Sequence, residues 1–276
     1  MKILAPLRGV TIRCFRAVFA DALREAGFEE AVTPFITATP GFDPLKDREL
    51  RGGGPDWLRV TPQFIGKEPA AFASALERVK AAGYETADLN CGCPFPMVRN
   101  KGRGSGILRN PDVLRRMLDA GCAAMGEGRL SVKARLGVDS PDELLSLMPL
   151  LNEYPLRFLS VHARTARQMY EGECDLAAFE RVRQAAKMPV VRNGDLALGD
   201  EGMVGRAFVR ALGGRDDIGE LLDRYVEASA AELCGETPVL GRMKELMSYW
   251  RDTPRWRRRW QVAKTARTLP ELRVWR

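Results

Sequence analysis

The stretch KILAPLRGVTIRCFRAVFADALREAGFEEAVTPF, residues 2–35, indicates how this chain folds. It begins with an apolar run at 2–6 and ends with another at 30–35, and both are typical of buried strands. Apolar residues recur at helical spacing between these runs: Phe15, Val18, Phe19, Ala22 and Leu23. Gly27 marks a plausible end of this helix. A strand, a helix and a second strand in this order predict a parallel sheet.

The same unit recurs along the first 195 residues. Further β-rich runs lie at 59–66, 86–90, 130–137, 157–164 and 188–195. Residues near the seven strand ends are separated by 28, 30, 27, 43, 29 and 31 positions: Ala5, Thr33, Gln63, Asn90, Lys133, His162 and Asn193. This period predicts a (β/α)8 TIM-like barrel. A doubly wound sheet is the weaker alternative, because no GxGxxG follows the first strand.

The eighth strand is expected in EGMVGRA, residues 201–207, and it comes too early. Its end near Gly205 lies 12 residues after Asn193, whereas a crossover that contains a helix needs about 10 to 12 residues besides the strands. Either the barrel is shortened at its seventh helix, or the eighth strand is misassigned. We predict a barrel over residues 1–212.

Residues 213–276 have helical patterns without strand signals, and we predict a small all-helical domain there. Its tail, residues 251–276, holds nine cations and two acids, which accounts for the whole net charge of +7. Trp250, Trp256, Trp260 and Trp275 lie in or beside this tail. Cations interleaved with aromatics suit nucleic acid. A basic, solvated terminal helix is the equally supported alternative.

Cysteines and hydropathy bound the class of protein. Six scattered cysteines in a chain of 276 residues favour reduced thiols over a disulfide framework, and their spacing makes a structural zinc site improbable. No run is long and apolar enough to cross a bilayer, and MKILAPLRGV lacks the features of a signal peptide. We therefore expect a cytoplasmic protein with no membrane association.

Polar side chains stand at the strand ends, which in a barrel face the active site. They form a set of amides, cations and an imidazole: Gln63, Asn90, Lys133, Arg135, His162, Arg164 and Asn193. Buried cations are costly without an anionic partner, so this set favours a bound phosphate or flavin. The segments RNGD at 192–195 and VGRA at 204–207 could offer backbone N–H groups to a phosphate.

The loop after the fourth strand reads CGCPFPMVRNKGRGSG, residues 91–106. We expect Cys93 at the barrel mouth, where its thiol is protonated at neutral pH and can serve as a general acid. Cys91 is expected to be a small buried hydrophobe. The segment 100–106 is glycine-rich and basic, and we expect it to be flexible, to fold over a ligand and to meet phosphate.

These motifs resemble the flavin-dependent tRNA-dihydrouridine synthases, and the NCGCP form resembles their bacterial subgroup. The matching segments, in the family's order, are APLRGV at 5–10, QFIGKEP at 63–69, DLNCGCP at 88–94 with KGRGSGILRNP after it, SVKARLG at 131–137, SVHARTARQMYEG at 160–172, VVRNGD at 190–195 and MVGRAF at 203–208. The segment PVLGRMKELMSYW, residues 238–250, resembles the family's tRNA-binding domain.

The resemblance implies a reaction in two halves. NADPH reduces bound FMN, which passes a hydride to carbon 6 of a uridine in tRNA, while Cys93 protonates carbon 5. The residues implied for FMN are Pro6, Leu7, Gln63, Lys133, His162, Asn193, Gly194, Gly205 and Arg206. Those implied near the flavin, the base or the tRNA are Asn90, Arg135, Arg164, Lys101 and Arg103. The resemblance implies no metal and no stable protein partner.

Three departures from the family pattern stand out. The family's APM reads APLRG here, with Leu7 for Met and a cation at Arg8; an expected carboxylate is replaced at Thr33-Pro34; and roughly 15 residues are missing before MVGRA. The last departure suggests an alternative, a catalytically impaired member that binds tRNA but holds flavin weakly. A second alternative is an FMN oxidoreductase that acts on a small molecule.

Overall fold

The computed structural model describes residues 1–52 and 54–275. Its strands all pair in parallel. They are β1 (Lys2–Leu4), β2 (Glu30–Val32), β3 (Ile36–Thr37), β4 (Arg59–Thr61), β5 (Gln63–Ile65), β6 (Ala87–Cys91), β7 (Leu130–Gly137), β8 (Leu159–Thr165), β9 (Val190–Asn193) and β10 (Gly202–Val204). The order in the sheet is β3-β5-β6-β7-β8-β9-β10-β1-β2-β4.

The sheet closes into a barrel with eight strand positions, and two of these positions are each occupied by two short consecutive strands. One position holds β2 and β3, with Pro34 between them, and the next holds β4 and β5, with Pro62 between them. Proline lacks the N–H that a central strand needs, which explains both breaks. Since β2 pairs with β4 and β3 pairs with β5, the ends of the sheet meet. The predicted barrel is confirmed.

The helices alternate with the strands and then continue without them. They are α1 (Arg13–Val18), α2 (Ala20–Glu25), α3 (Pro69–Ala81), α4 (Pro96–Arg99), α5 (Pro111–Met125), α6 (Glu143–Leu151), α7 (Leu176–Ala185), α8 (Arg206–Leu212), α9 (Ile218–Glu232), α10 (Glu236–Ser248), α11 (Arg257–Ala263) and α12 (Leu269–Leu272). Local signals define the ends of α5: Asn110 accepts from the N–H of Val113, Pro111 opens the first turn, and Gly126 ends the helix at φ 94°.

The connection between β9 and β10 has no helix. Residues 194–201 form only turns and bends, yet β10 pairs with β9 through Met203 and Asn193 and with β1 along its whole length. The eighth strand was therefore placed correctly, and the shortened seventh unit is confirmed. Gly194 at φ 95° and Asp195 at φ 49° turn the chain back over this short distance.

Two of the four tryptophans in or beside the C-terminal tail are unavailable for stacking on nucleic acid, whereas Trp260 and Trp275 are half-buried. Trp250 and Trp256 are almost wholly buried, and their rings lie 4.6 Å apart. The Nε1–H of Trp250 donates to the carbonyl of Val209 at 2.6 Å, and that of Trp256 donates to Gly213 at 2.7 Å. The two indole hydrogen bonds thus connect the terminal helices to α8 and to the residue that follows it.

The helices from α9 onward share one hydrophobic core with the barrel. The cluster joins Phe15 and Phe208 of the barrel to Tyr225 and Met243 of α9 and α10. The Phe15 ring meets the Tyr225 ring edge-on at 6.1 Å. Within the described ranges, no helix is long and apolar enough to span a membrane.

Candidate active site

A cavity of about 650 Å³ opens at the carboxyl ends of the strands. Asn90, Cys93, Arg135 and Arg164 line this cavity. All nine residues predicted for the cofactor line it as well: Pro6, Leu7, Gln63, Lys133, His162, Asn193, Gly194, Gly205 and Arg206. Parallel strands end at the same rim, which brings these distant positions together. Lys101 is exposed and Arg103 half-buried, and neither belongs to the cavity lining.

A chain of hydrogen bonds runs from the barrel interior to Cys93. Asp88 accepts from the hydroxyl of Ser131 at 2.6 Å and from Nε2 of Gln63 at 2.8 Å. The Oε1 atom of Gln63 accepts from Nδ2 of Asn90 at 2.7 Å, and Oδ1 of Asn90 accepts from the N–H of Cys93 at 2.9 Å. Each amide thereby has one orientation that satisfies both neighbours. The buried Asp88, whose pKa burial raises to about 6, anchors this chain.

Cys93 is 6% exposed and lies on the cavity wall. Burial raises the pKa of its thiol, while the backbone N–H of Phe95 and the charges of Arg8 and Arg135 act in the opposite direction. A thiol with a raised pKa keeps its proton at neutral pH, as a proton donor must. Cys91, two residues earlier in the chain, is wholly buried in the apolar core, as predicted.

The glycine-rich segment after Cys93 differs from its prediction. Gly104–Arg109 forms a 3-10 helix that is buried over Gly104–Leu108, and Ser105 binds the carbonyl of Cys93 through both its N–H (3.1 Å) and its hydroxyl (2.9 Å). A Cβ on Gly104 would approach the Cβ of Cys93 to 2.7 Å. Over residues 104–106 the expected flexible flap is instead a packed support for the cysteine, because the small residues allow close backbone approach, whereas residues 100–103 are exposed or half-buried.

The part of the cavity wall around Lys133 carries positive charge. Nζ of Lys133 donates to Oδ1 of Asn193 at 2.9 Å, and Nδ2 of Asn193 donates to the carbonyl of Met203 at 2.7 Å. Burial, together with the charge of Arg135, lowers the pKa of Lys133 to about 8. Burial and the surrounding cations also hold the pKa of His162 far below its usual value, so its imidazole is neutral.

The guanidinium N–H groups of Arg164 donate hydrogen bonds to other groups of the protein. Arg164 forms a two-pronged ion pair with Asp195 and donates to the carbonyl of Gly172 at 2.6 Å. Its Nη1 also lies 3.2 Å from Nε2 of His162. Since Arg164 can only donate, Nε2 is the acceptor and Nδ1 of His162 carries the proton. The contacts favour a positioning role for Arg164 over the predicted direct contact with substrate.

Arg135 is similarly engaged. Its Nε donates to the carbonyl of Gly92 at 3.0 Å, and its Nη1 donates to Thr165 at 3.0 Å and to Met169 at 2.7 Å. Its guanidinium also stacks on the ring of Tyr170 at 5.2 Å. Arg135 therefore joins the loops after β6 and β8 and leaves its positive charge at the cavity wall.

Several lining residues were not predicted from the sequence. Tyr170 lies under Arg206 at 4.3 Å, and it stands within the SVHARTARQMYEG motif, which could have drawn attention to it. Glu245 lies on α10, and Tyr249 directly follows its last residue. No local signal identifies these two, because only the packing of α10 on the barrel brings them to the rim.

The cavity suits an anionic, planar cofactor. Among its described lining residues, six are cations and two are carboxylates, so positive charge is in excess: Arg8, Lys133, Arg135, Arg164, Arg206 and Arg210 against Asp195 and Glu245. Arg8, Arg206 and Arg210 are exposed, whereas Arg135 and Arg164 are buried and Lys133 is half-buried. A bound anion would stabilise the cations that are removed from water. Gly205 leaves room beside Leu7, since a Cβ there would lie 3.0 Å from that of Ala5. These donors and this space fit a flavin.

Comparisons with known proteins agree with this chemistry. The family model "Dihydrouridine synthase (Dus)" matches residues 3–200. The chain is 30% identical over 235 residues to tRNA-dihydrouridine synthase B of Pseudomonas aeruginosa, an alignment that covers 81% of this chain and 69% of the relative. It is 32% identical to a probable tRNA-dihydrouridine synthase of Rhodobacter capsulatus, with 70% of this chain and 59% of the relative covered.

Solved structures show the same fold at much lower identity. A morphinone reductase variant in complex with tetrahydroNAD superposes with a TM-score of 0.53 and 14% identity, covering 76% of this chain and 83% of that one. An old yellow enzyme homologue from Zymomonas mobilis gives a TM-score of 0.53 and 13% identity, covering 75% and 85%. At such identities the likeness concerns the barrel alone.

Proposed function

The chain belongs to the dihydrouridine synthase family, and from this we propose that it is a flavin-dependent oxidoreductase that reduces a uridine of tRNA to 5,6-dihydrouridine. FMN is the proposed cofactor and NADPH the proposed reductant. The observation that carries the proposal is one cavity that holds both the protonated thiol of Cys93 and the cationic group around Lys133 and His162. A cytoplasmic location is part of the proposal, because the proposed substrate is tRNA.

The residues that would hold FMN form two groups. Gln63, Lys133, His162 and Asn193 line the cavity from β5, β7, β8 and β9, where a flavin ring would need polar neighbours. Gly194, Gly205 and Arg206 line the end nearest the short β9–β10 connection and suit the phosphate. When bound, the reduced flavin supplies the hydride that uracil accepts at carbon 6.

The protein's own contribution is to place a proton and to stabilise charge. The Sγ–H of Cys93 delivers a proton to carbon 5 of the uracil, and the thiolate left behind is stabilised by the N–H of Phe95 and by Arg8. Negative charge that develops on the uracil carbonyl oxygen is stabilised by the cations of the cavity wall, among them Arg135. The target base has to leave its stack to enter the cavity.

The alternative of an impaired family member, which binds tRNA but holds flavin weakly, rests on the lack of a helix between β9 and β10, beside the proposed phosphate site. Gly194, Gly205 and Arg206 still line the cavity, and β10 keeps its register with β1, which supports retention of the cofactor site. The small-molecule alternative leaves the exposed arginines of α11 without a role, whereas tRNA phosphates account for them.

The visible absorption spectrum of the purified protein tests the proposal. We expect flavin bands that bleach under anaerobic NADPH and return when unmodified tRNA is added, together with dihydrouridine in the recovered tRNA. Colourless protein that still shifts tRNA in a gel selects the impaired member. Yellow protein that is reduced by NADPH but neither binds nor reoxidises with tRNA selects the small-molecule enzyme.

A further inference from the structure

An exposed aromatic ring stands at the mouth of the cavity, two residues after Cys93. Phe95 lines the cavity although 40% of it is exposed, and Met97 beside it is 73% exposed. The buried tryptophans of the C-terminal region show that this chain does cover large apolar rings where it has a core for them. The outward position of Phe95 therefore calls for its own explanation.

The backbone holds Phe95 in place. Pro94 and Pro96 flank it, and a residue before proline is restricted to extended conformations, as its φ of −60° and ψ of 128° show. Its carbonyl accepts hydrogen bonds from the N–H groups of Val98 and Arg99, both at 2.9 Å. Because the backbone that carries the ring is already ordered, stacking of a flat partner costs only the rotamer freedom of the side chain.

Two further groups at the same rim suit a nucleotide. The guanidinium of Arg8 lies over the ring of Phe35 at 5.6 Å, and both side chains line the cavity. Arg8 is exposed and its charge reaches the thiol of Cys93. With Phe95, the side chains of Arg8 and Phe35 give the rim aromatic faces and a cation. That combination binds bases through stacking and phosphates through charge.

We propose that Phe95, with Phe35 and Arg8, forms a stacking site for the unpaired nucleobase next to the target uridine. The inference rests on the proposed function, because it takes the ligand of this rim to be the RNA whose uridine enters the cavity. The occupant lies at the mouth of the cavity, because the exposed face of Phe95 is there, whereas Gln63 and Lys133 make the inner wall polar. Stacking there holds the strand while the target base is turned inward.

The test compares Phe95→Ala with Phe42→Ala. Phe42 is also 40% exposed but does not line the cavity, so it is a matched control for the loss of a surface ring. Affinity for an unmodified tRNA transcript is measured by fluorescence anisotropy, and the flavin spectrum reports that each variant is folded and loaded. We expect Phe95→Ala to weaken binding about tenfold, Phe42→Ala to leave it unchanged, and Phe95→Trp to restore it.

Three results separate the possible failures. Wild-type tRNA affinity in Phe95→Ala overturns the stacking site. A variant that is slower in anaerobic reduction by NADPH but unchanged in tRNA affinity also overturns it, and assigns the ring to the nicotinamide. A wild-type protein that fails to bind tRNA at low salt refutes the proposed function instead, and with it the RNA as occupant of this rim.

Discussion

The side-chain oxygen of Asn90 accepts a hydrogen bond from the backbone N–H of Cys93 at 2.9 Å. This bond is the last in the chain that begins at Asp88 and passes through Gln63, and it fixes where the cysteine backbone lies. Because each amide in the chain donates toward Asp88 and accepts toward Cys93, the chain has a polarity that substitutions can reverse.

Asn90→Asp should reduce dihydrouridine formation at least tenfold. A carboxylate oxygen would replace the Nδ2 donor of Asn90 and face Oε1 of Gln63, so two acceptors would meet with no proton between them. Adding Asp88→Asn supplies a donor at the far end and lets Gln63 turn over, so the double variant should recover part of the loss. Single-turnover rates give the coupling, expected at about 1 kcal/mol or more. A double variant no faster than Asn90→Asp would show that the chain does not position Cys93.

Cys93→Ala should abolish dihydrouridine formation and leave the flavin spectrum intact, because the thiol supplies the proton and not the cofactor site. The matched control is Cys91→Ala. Cys91 is wholly buried in the apolar core, so its loss should lower the free energy of unfolding by about 1 kcal/mol while activity persists. Full activity in Cys93→Ala would remove this residue from the mechanism.

The affinity for FMN should fall as the pH rises above about 8. The pKa of Lys133 is lowered to about 8 in the free protein, so its cationic form, which attracts the anion, is fully present below that pH and is lost above it. Affinity at pH 9 should be about tenfold weaker than at pH 7. Fluorescence titration of apoprotein with FMN measures this. Lys133→Arg should flatten the profile, and an unchanged profile in that variant would assign the dependence to another group.

Gly194→Ala should cost the protein its flavin. The backbone at Gly194 has φ 95°, and a Cβ there would lie 2.7 Å from Cδ2 of His162 and 2.8 Å from Sγ of Cys174. Strain of about 1 to 3 kcal/mol and a displaced imidazole follow. Gly199→Ala, in the same short connection, meets nothing within 4 Å and should bind flavin normally. Equal flavin content in the two variants, measured by absorbance, contradicts the placement of His162.

Replacing both Arg257 and Arg258 with Gln should weaken tRNA binding and make it less dependent on salt. Both are exposed on α11, and each phosphate contact removed lowers the slope of log affinity against log salt by about one. Lys187→Gln is the control, because Lys187 is exposed just before β9, at the end of the barrel away from the cavity. A slope that stays the same in the arginine variant would place the tRNA elsewhere.

The amino-acid sequence by itself determined the barrel and most of its site. Gln63, Lys133, His162 and Asn193 recur with the strand–helix period, and parallel strands in a closed sheet must all end at one rim. Their meeting is thus a consequence of topology, which the period reveals. The missing helix before β10 was visible in the same way, as a shortened interval.

Only the tertiary structure decided which surfaces are covered and how the polar groups are oriented. Trp250 and Trp256 look like stacking residues beside their arginines, but carbonyls on α8 and after it, far away in sequence, bind their indoles and bury them. Phe95 is a large apolar residue in a loop, and only the structure shows that it is exposed. Burial depends on partners far along the chain, and local pattern carries no record of those partners.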